Sequence, residues 1–258
     1  MAAADDFDAK AQIWLDCWSR LADPARRRLL ELTGVGVGTS LLDIGCGSGE
    51  LSLLAAQRGA AVSGIDAAEN MINLARRAVP AADLRVADMA ELPWPDDTFD
   101  VVVAVNAFQF ADDIMVPIAE AVRVGKPDGL LAICNWAQRD RQDMVTIDLA
   151  INALDPADPG PPQRHPDFRE PGALQRLVDS AGLRPADAGE IDIPFDLPNE
   201  AELQHAFSFD VPTELPAGVT ADVVRRTIAE AAARFRLPDG SYRLHNVFRY
   251  LIAVPAAN

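Results

Sequence analysis

The sequence predicts an α/β fold: a doubly wound, mostly parallel sheet of seven strands, one antiparallel near the end, with helical cap insertions. Three observations predict it. Between residues 41 and 135 short apolar runs alternate with stretches at helical spacing, the pattern of successive βαβ units. The run VVVAV at 101–105 is too apolar for a half-exposed strand and fits one covered on both faces. Two strand-like segments, 191–195 and 246–254, come last, so they return to the same sheet and leave one domain spanning 1–258.

Taken in order, the first thirty residues read as helix, with Trp14, Trp18 and Leu21 at i, i+4 and i+7. Strands follow at 41–44, 61–65 and 84–87, with helices at 49–57 and through Met71, Leu74 and Ala75 up to Pro80. The fourth strand is 99–105, and a helix at 113–124 carries Ile114, Ile118, Ala121 and Val122 on one side. Lys126-Pro127-Asp128-Gly129 reads as a turn before a fifth strand at 130–135. Beyond Trp136 the rhythm changes. A helix is expected over 143–154, and 155–166 holds five of the 19 prolines, which excludes regular structure. Leu174, Leu177, Val178 and Ala181 give a helix that Gly182 stops. Val224, Ile228, Ala231 and Phe235 give another. A cofactor-binding core at 36–140 is expected, with 1–30, 141–170 and 197–240 as cap and substrate-side segments.

Composition limits the partners. Lys plus Arg is 23 against 39 for Asp plus Glu, a net charge of −16. Such a surface repels phosphate backbones and anionic headgroups, so neither nucleic acid nor membrane is expected as a partner. The densest basic run, Arg26-Arg27-Arg28, lies on a helix and reads as a solvated face. Three cysteines without a CxxC pair support neither a disulfide framework nor a zinc site. The opening MAAADDFDAK has no apolar signal core, and no apolar run approaches a membrane span, so a cytoplasmic location is expected. A homodimer is compatible with the sequence.

The sharpest signal is Asp43-Ile44-Gly45-Cys46-Gly47-Ser48-Gly49, between a strand and a helix. Gly45, Gly47 and Gly49 let the backbone approach a ligand closely. A dinucleotide loop wants a further glycine where Glu50 stands, and no GK[ST] follows for a P-loop. An acid at 43 suits an ammonium group better than a pyrophosphate. Asp66 follows Gly45 by 21 residues, the separation at which a carboxylate reaches ribose hydroxyls. Asp88 ends the third strand and is placed to accept from an adenine amino group. Three acids at successive strand ends match a phosphate-free nucleoside joined to an amino acid.

The blocks LLDIGCGSG, GIDAAENMINLAR, VADMAELPWPDDTFDVVVAVNAFQF and KPDGLLAICNW resemble those of class I S-adenosylmethionine-dependent methyltransferases, with their Rossmann-like sheet. The nearest branch methylates small molecules in ubiquinone-type and natural-product chemistry. The resemblance implies S-adenosyl-L-methionine as cofactor, S-adenosyl-L-homocysteine as product, and a small, hydrophobic acceptor methylated on O, N or C. It assigns the methionine part to Asp43, Gly45, Cys46, Gly47 and Gly49, and the ribose to Asp66 with Ala67. Met71 packs on adenine, Asp88 and the Met89 backbone read its edge, and Asn106 lies near the reacting centre. Gln109 and Phe110 stand where the family faces its acceptor, and Trp14 and Trp18 are candidates for an aromatic wall. Some enzymes of this fold instead retain the cofactor and catalyse cyclisation or rearrangement.

Transfer from a sulfonium needs alignment rather than a covalent intermediate or a metal, and no Ser-His-Asp set or metal cluster is visible. A general base would still help a hydroxyl or acidic carbon. His165 and His205 are weak candidates in the variable half, and His245 lies there too.

Overall fold

The computed structural model describes residues 2–155, 167–212 and 215–256. The chain opens with α1 (Ala2–Ala9) and α2 (Ala11–Ile13), a π-helical turn at Trp14–Trp18, and α3 (Asp23–Leu32). The alternating part runs β1 (Ser40–Ile44), α4 (Glu50–Gln57), β2 (Ala61–Asp66), α5 (Glu69–Ala78), β3 (Asp83–Val86), β4 (Phe99–Val105), α6 (Met115–Val124) and β5 (Gly125–Trp136). Then come α7 (Val145–Asn152), α8 (Ala173–Ser180), β6 (Leu183–Leu197), α9 (Glu200–Phe207), α10 (Ala221–Ala232) and β7 (Tyr242–Pro255).

The strands form one sheet in the order β3-β2-β1-β4-β5-β7-β6. Strands β1 to β5 pair in parallel, and β7 enters antiparallel to both β5 and β6. This is the seven-stranded, mostly parallel sheet that the alternation predicts. Because β1 is followed outward by β2 on one side and β4 on the other, the ligand crevice opens at their carboxyl ends.

Strand β4 explains why both faces must be covered. Val101 and Val103 join the core beneath α3, α4 and the α7–α9–α10 layer. Val102 and Ala104 join the opposite core with α6 and α8. At ~25 cal/mol per Å² of apolar area, such two-sided burial is what selects β-branched residues at successive positions.

Four expectations need correction. The N-terminal helix is broken: Ser19 N donates to Trp14 O at 2.8 Å, five residues back, and Pro24 restarts the helix in the first turn of α3. The Lys126–Gly129 turn sits inside β5 as a bulge, since Phe99 pairs with Gly125 while Val101 pairs with Leu130. Strand β6 extends well beyond 191–195 and carries Pro185 and Pro194. An edge position makes that tolerable, because β6 has β7 on one side only. Finally, Arg26 is buried rather than solvated. It reaches the backbone O of Ser19, Asp23 Oδ1 at 3.1 Å, and Glu50 Oε2 at 3.7 Å, while Arg27 and Arg28 stay exposed.

Candidate cofactor and acceptor site

The loop between β1 and α4 is held in a conformation that side chains resist. Gly45, Gly47 and Gly49 have φ of 68°, 54° and 93°. A Cβ on Gly45 would stand 2.6 Å from Ala107 Cβ, at the end of β4. Close approach and left-handed backbone therefore coincide there. Glu50 turns back within the first turn of α4, accepting from Ser48 Oγ at 2.5 Å.

Two of the three predicted acids converge on this loop. Asp66, the last residue of β2, accepts from Gly47 N through Oδ2 and from Ala68 N through Oδ1, each at 2.9 Å. Burial raises its pKa, and these backbone N–H groups oppose the rise. Asp43 is buried behind the loop and accepts from Ser52 Oγ at 2.8 Å. Burial pushes its carboxyl up to about 6, against the Ser52 hydrogen bond and the Arg26 charge. The third acid, Asp88, is exposed beyond the end of β3 and caps its own turn, accepting from Ala90 N at 2.9 Å.

The other candidates separate by role. Cys46 is buried against Ile72, Ala75 and Leu84, and burial holds its thiol well above the usual range, so it serves as a small packing residue. Ala67 is exposed beside Asp66, and Met89 packs at the edge of the α6 core. Met71 is buried with Ala11 and Ala68, against Phe7 and Trp14. Asn106 holds a left-handed φ of 51° and accepts from Trp136 N at 3.2 Å, joining the carboxyl ends of β4 and β5. Gln109 lines a cavity with Phe108, Asn135 and Leu174.

An aromatic group spans the crevice. The Phe7 ring lies 5.6 Å from Trp14, 5.5 Å from Phe110 and 5.5 Å from Phe209. Trp14 sits on the glycine loop, its Nε1 3.8 Å from where a Gly47 Cβ would be, and that nitrogen is inaccessible and has no hydrogen-bond partner among the described residues. Asp8 fastens this segment by accepting from Asn70 N and Nδ2. Trp18 faces the core instead, donating from Nε1 to Ala206 O at 2.9 Å. The two tryptophans that share a helical stripe in the sequence therefore part company, one over the loop and one in the core.

The two described histidines are both exposed. His205 is on the exposed side of α9, with Nε2 3.4 Å from Asp16 Oδ2. His245 is exposed on β7, its backbone N bonded to Asp143. His165 lies outside the described residues, as does most of the proline-rich 155–166 segment. Sequence reasoning missed Arg26, Phe7, Phe209, Asp148 and Asp210. Only Phe7 carried a usable signal, seven residues before Trp14 on the same stripe. Among the described residues no group of three or more His, Cys, Asp or Glu is placed to hold a metal ion. No helix among them is long and apolar enough to cross a membrane.

Residues 42–133 match the family model described as "Methyltransferase domain". The chain is 30% identical to the malonyl-[acyl-carrier protein] O-methyltransferase of Serratia marcescens over 55% of its own length, and spans about half, 52%, of that relative. It is 30% identical to the nocamycin O-methyltransferase of Saccharothrix syringae, over 69% of this chain and 70% of that one. Among solved structures, a proposed methyltransferase of Bacillus halodurans C-125 superposes with a TM-score of 0.61 at 15% identity, covering 90% of this chain and 99% of that one.

Proposed function

This chain belongs to the class I S-adenosylmethionine-dependent methyltransferase family, and we propose that it moves a methyl group to O, N or C of a small, hydrophobic acceptor. The observation that carries the proposal is the pairing of a Cβ-free, left-handed glycine loop with the Asp66 carboxylate bonded directly to Gly47 N. That arrangement suits a ligand with hydroxyls and an ammonium, and repels a pyrophosphate.

The residues present fit the cofactor. Asp66 would hold the ribose hydroxyls, exchanging its loop bond for theirs. Asp43 is spent on Ser52 and contributes negative potential from behind the loop to an ammonium group. The unpartnered Trp14 Nε1 over Gly47 is a donor for a ligand acceptor atom. S-adenosyl-L-methionine supplies a methyl on a sulfonium that leaves without covalent assistance.

The chain's own contribution is placement. In this reading residues 36–140 are the cofactor core, and the described residues of 1–30, 141–170 and 197–240 are the cap. Phe7, Trp14 and Phe110 wall the crevice, excluding water and limiting the acceptor's approach, an effect worth up to ~7–11 kcal/mol in favourable cases. With Asp8 on Asn70 and Ala11 on Met71, α1 and α2 cover the adenine side, so they lift for the cofactor to enter. Calorimetry with S-adenosyl-L-methionine, then detection of S-adenosyl-L-homocysteine across a metabolite panel, tests the reading. Binding with acceptor-dependent product is expected; binding without product from any acceptor would replace transfer by a cofactor-retaining role.

A further inference from the structure

We propose that Asp148 and Asp210 are the acceptor-side proton-holding pair, the carboxylates that receive the proton of a weakly acidic hydroxyl, phenolic or enolic, on the acceptor. The inference rests on the methyltransferase reading and deepens it. Asp148 lies on α7, which follows the carboxyl end of β5, and Asp210 closes the turn Ser208–Asp210 after α9. Two separate insertions of the cap thus carry one carboxylate each, and the charge of Asp148 acts on Asp210.

Asp148 Oδ1 and Asp210 Oδ2 are both inaccessible to solvent, and neither has a hydrogen-bond partner among the described residues. Trp14 Nε1 is in the same condition. The connection to the crevice runs through Phe209, which precedes Asp210 and whose ring lies 6.1 Å from Trp14 and 5.5 Å from Phe7. Asp210 therefore follows directly along the chain from the aromatic wall.

Buried carboxylates without donors are costly unless a proton or a ligand satisfies them. Two buried carboxylates whose charges repel resist ionising together, so one of them keeps a proton. The charges facing them are Arg139 toward Asp148, and Lys10 and Asp6 toward Asp210. Lys10 is already engaged, 2.8 Å from Asp6 Oδ1 and donating to Phe209 O at 2.7 Å. Lys10 is matched by Asp6, and the Arg139 charge acts on Asp167 as well as on Asp148, so positive charge falls short and one carboxylate is left for a proton. Burial drives both carboxyls upward, and the Asp148 charge adds to the rise at Asp210, against the pull of Arg139 and Lys10. The ionised member beside its protonated partner is then a base matched to a phenol or enol.

The step is a proton transfer. The acceptor's O–H bond breaks, its electron pair stays on oxygen, and the proton bonds to the ionised carboxylate. The pair passes from one proton to two and later returns one to solvent. The freed oxygen is the nucleophile, and the rings of Phe7, Trp14, Phe209 and Phe110, edge-on or tilted to one another, offer an apolar wall to the acceptor body.

Carbon-13 NMR of the aspartate carboxyls, on the full chain saturated with S-adenosyl-L-homocysteine, gives the first arm of the test. Two linked titrations above the ordinary midpoint of about 3.9 are expected, and Asp148→Asn or Asp210→Asn should lower the midpoint of the survivor. In the second arm, S-adenosyl-L-homocysteine formation is followed with phenols and enols, beginning with 4-nitrophenol. Both variants should bind S-adenosyl-L-methionine as the wild type does, lose about a hundredfold or more in kcat, and lose the acid limb of the pH profile. Separate titrations in the ordinary range, or full kcat with an unchanged profile in both variants, would overturn the inference. Turnover of non-hydroxylic metabolites alone, or of nothing despite cofactor binding, would overturn it too. Absence of cofactor binding would instead remove the reading on which it rests.

Discussion

The carboxylates on the two sides of the crevice are held in opposite ways. On the cofactor side each is bonded to a neighbour: Asp66 to Gly47 N and Ala68 N, Asp43 to Ser52, Asp88 to Ala90 N. On the cap side Asp148 and Asp210 each keep an inaccessible oxygen with no partner among the described residues. The first arrangement is preorganised by local chain geometry, so a ligand's hydroxyls replace bonds that are already made. The second holds unmet hydrogen-bonding capacity, the state expected where a proton moves.

The contrast can be broken from either side. The largest effect is expected at the loop itself. Gly45→Ala puts a side chain on a left-handed residue and 2.6 Å from Ala107 Cβ. Strain and overpacking together should cost ~3 kcal/mol, read as a lower urea midpoint with an unchanged slope. Next, Asp66→Ala should weaken S-adenosyl-L-methionine binding by ~1.5–3 kcal/mol in calorimetry, because the hydrogen bonds lost are to a charged group. Unchanged affinity would remove the ribose assignment.

On the cap side the sign depends on pH. The folded pKa of Asp210 is raised above its unfolded value, mainly by burial and then by Asp148. Its ionisation therefore costs the folded state nothing below the unfolded pKa, and the cost grows as pH climbs to the folded pKa. Asp210→Asn should accordingly stabilise the unliganded chain by ~1–2 kcal/mol under alkaline conditions and by nothing near pH 4. Thermal melts across that range check it; a constant difference would contradict the burial argument. Asp88→Ala is expected to be milder, below ~1 kcal/mol in cofactor affinity, since that acid is exposed. Smallest of all, His205→Ala should leave the rate of methyl transfer unchanged, as befits a surface contact with Asp16.

How much of this could be read from the sequence follows the same division. Strand β4 was expected at 99–105 and occupies Phe99–Val105, because its apolar run has one physical explanation. The glycine loop and Asp66 were legible because turn chemistry and strand-end position are local properties. Strand β6 was truncated in the reading because Pro185 and Pro194 argue against a strand, until its edge position is known. Arg26 read as solvated since nothing nearby in sequence announces Glu50 as its partner. Asp148 and Asp210 lie on different insertions and carry no spacing signal at all; only the electrostatic effect of one on the other in the folded chain relates them. The π-helical turn that separates Trp14 from Trp18 was likewise invisible to a helical-wheel argument.

What the loop at 45–49 grips decides the chemistry of the whole crevice. Titrating the full chain with S-adenosyl-L-methionine and, separately, with NAD by calorimetry tests this most directly. Saturable binding of the sulfonium nucleoside, lost in Asp66→Ala, with no heat from the dinucleotide is the predicted result. Binding of NAD in its place, or indifference to both, would contradict it.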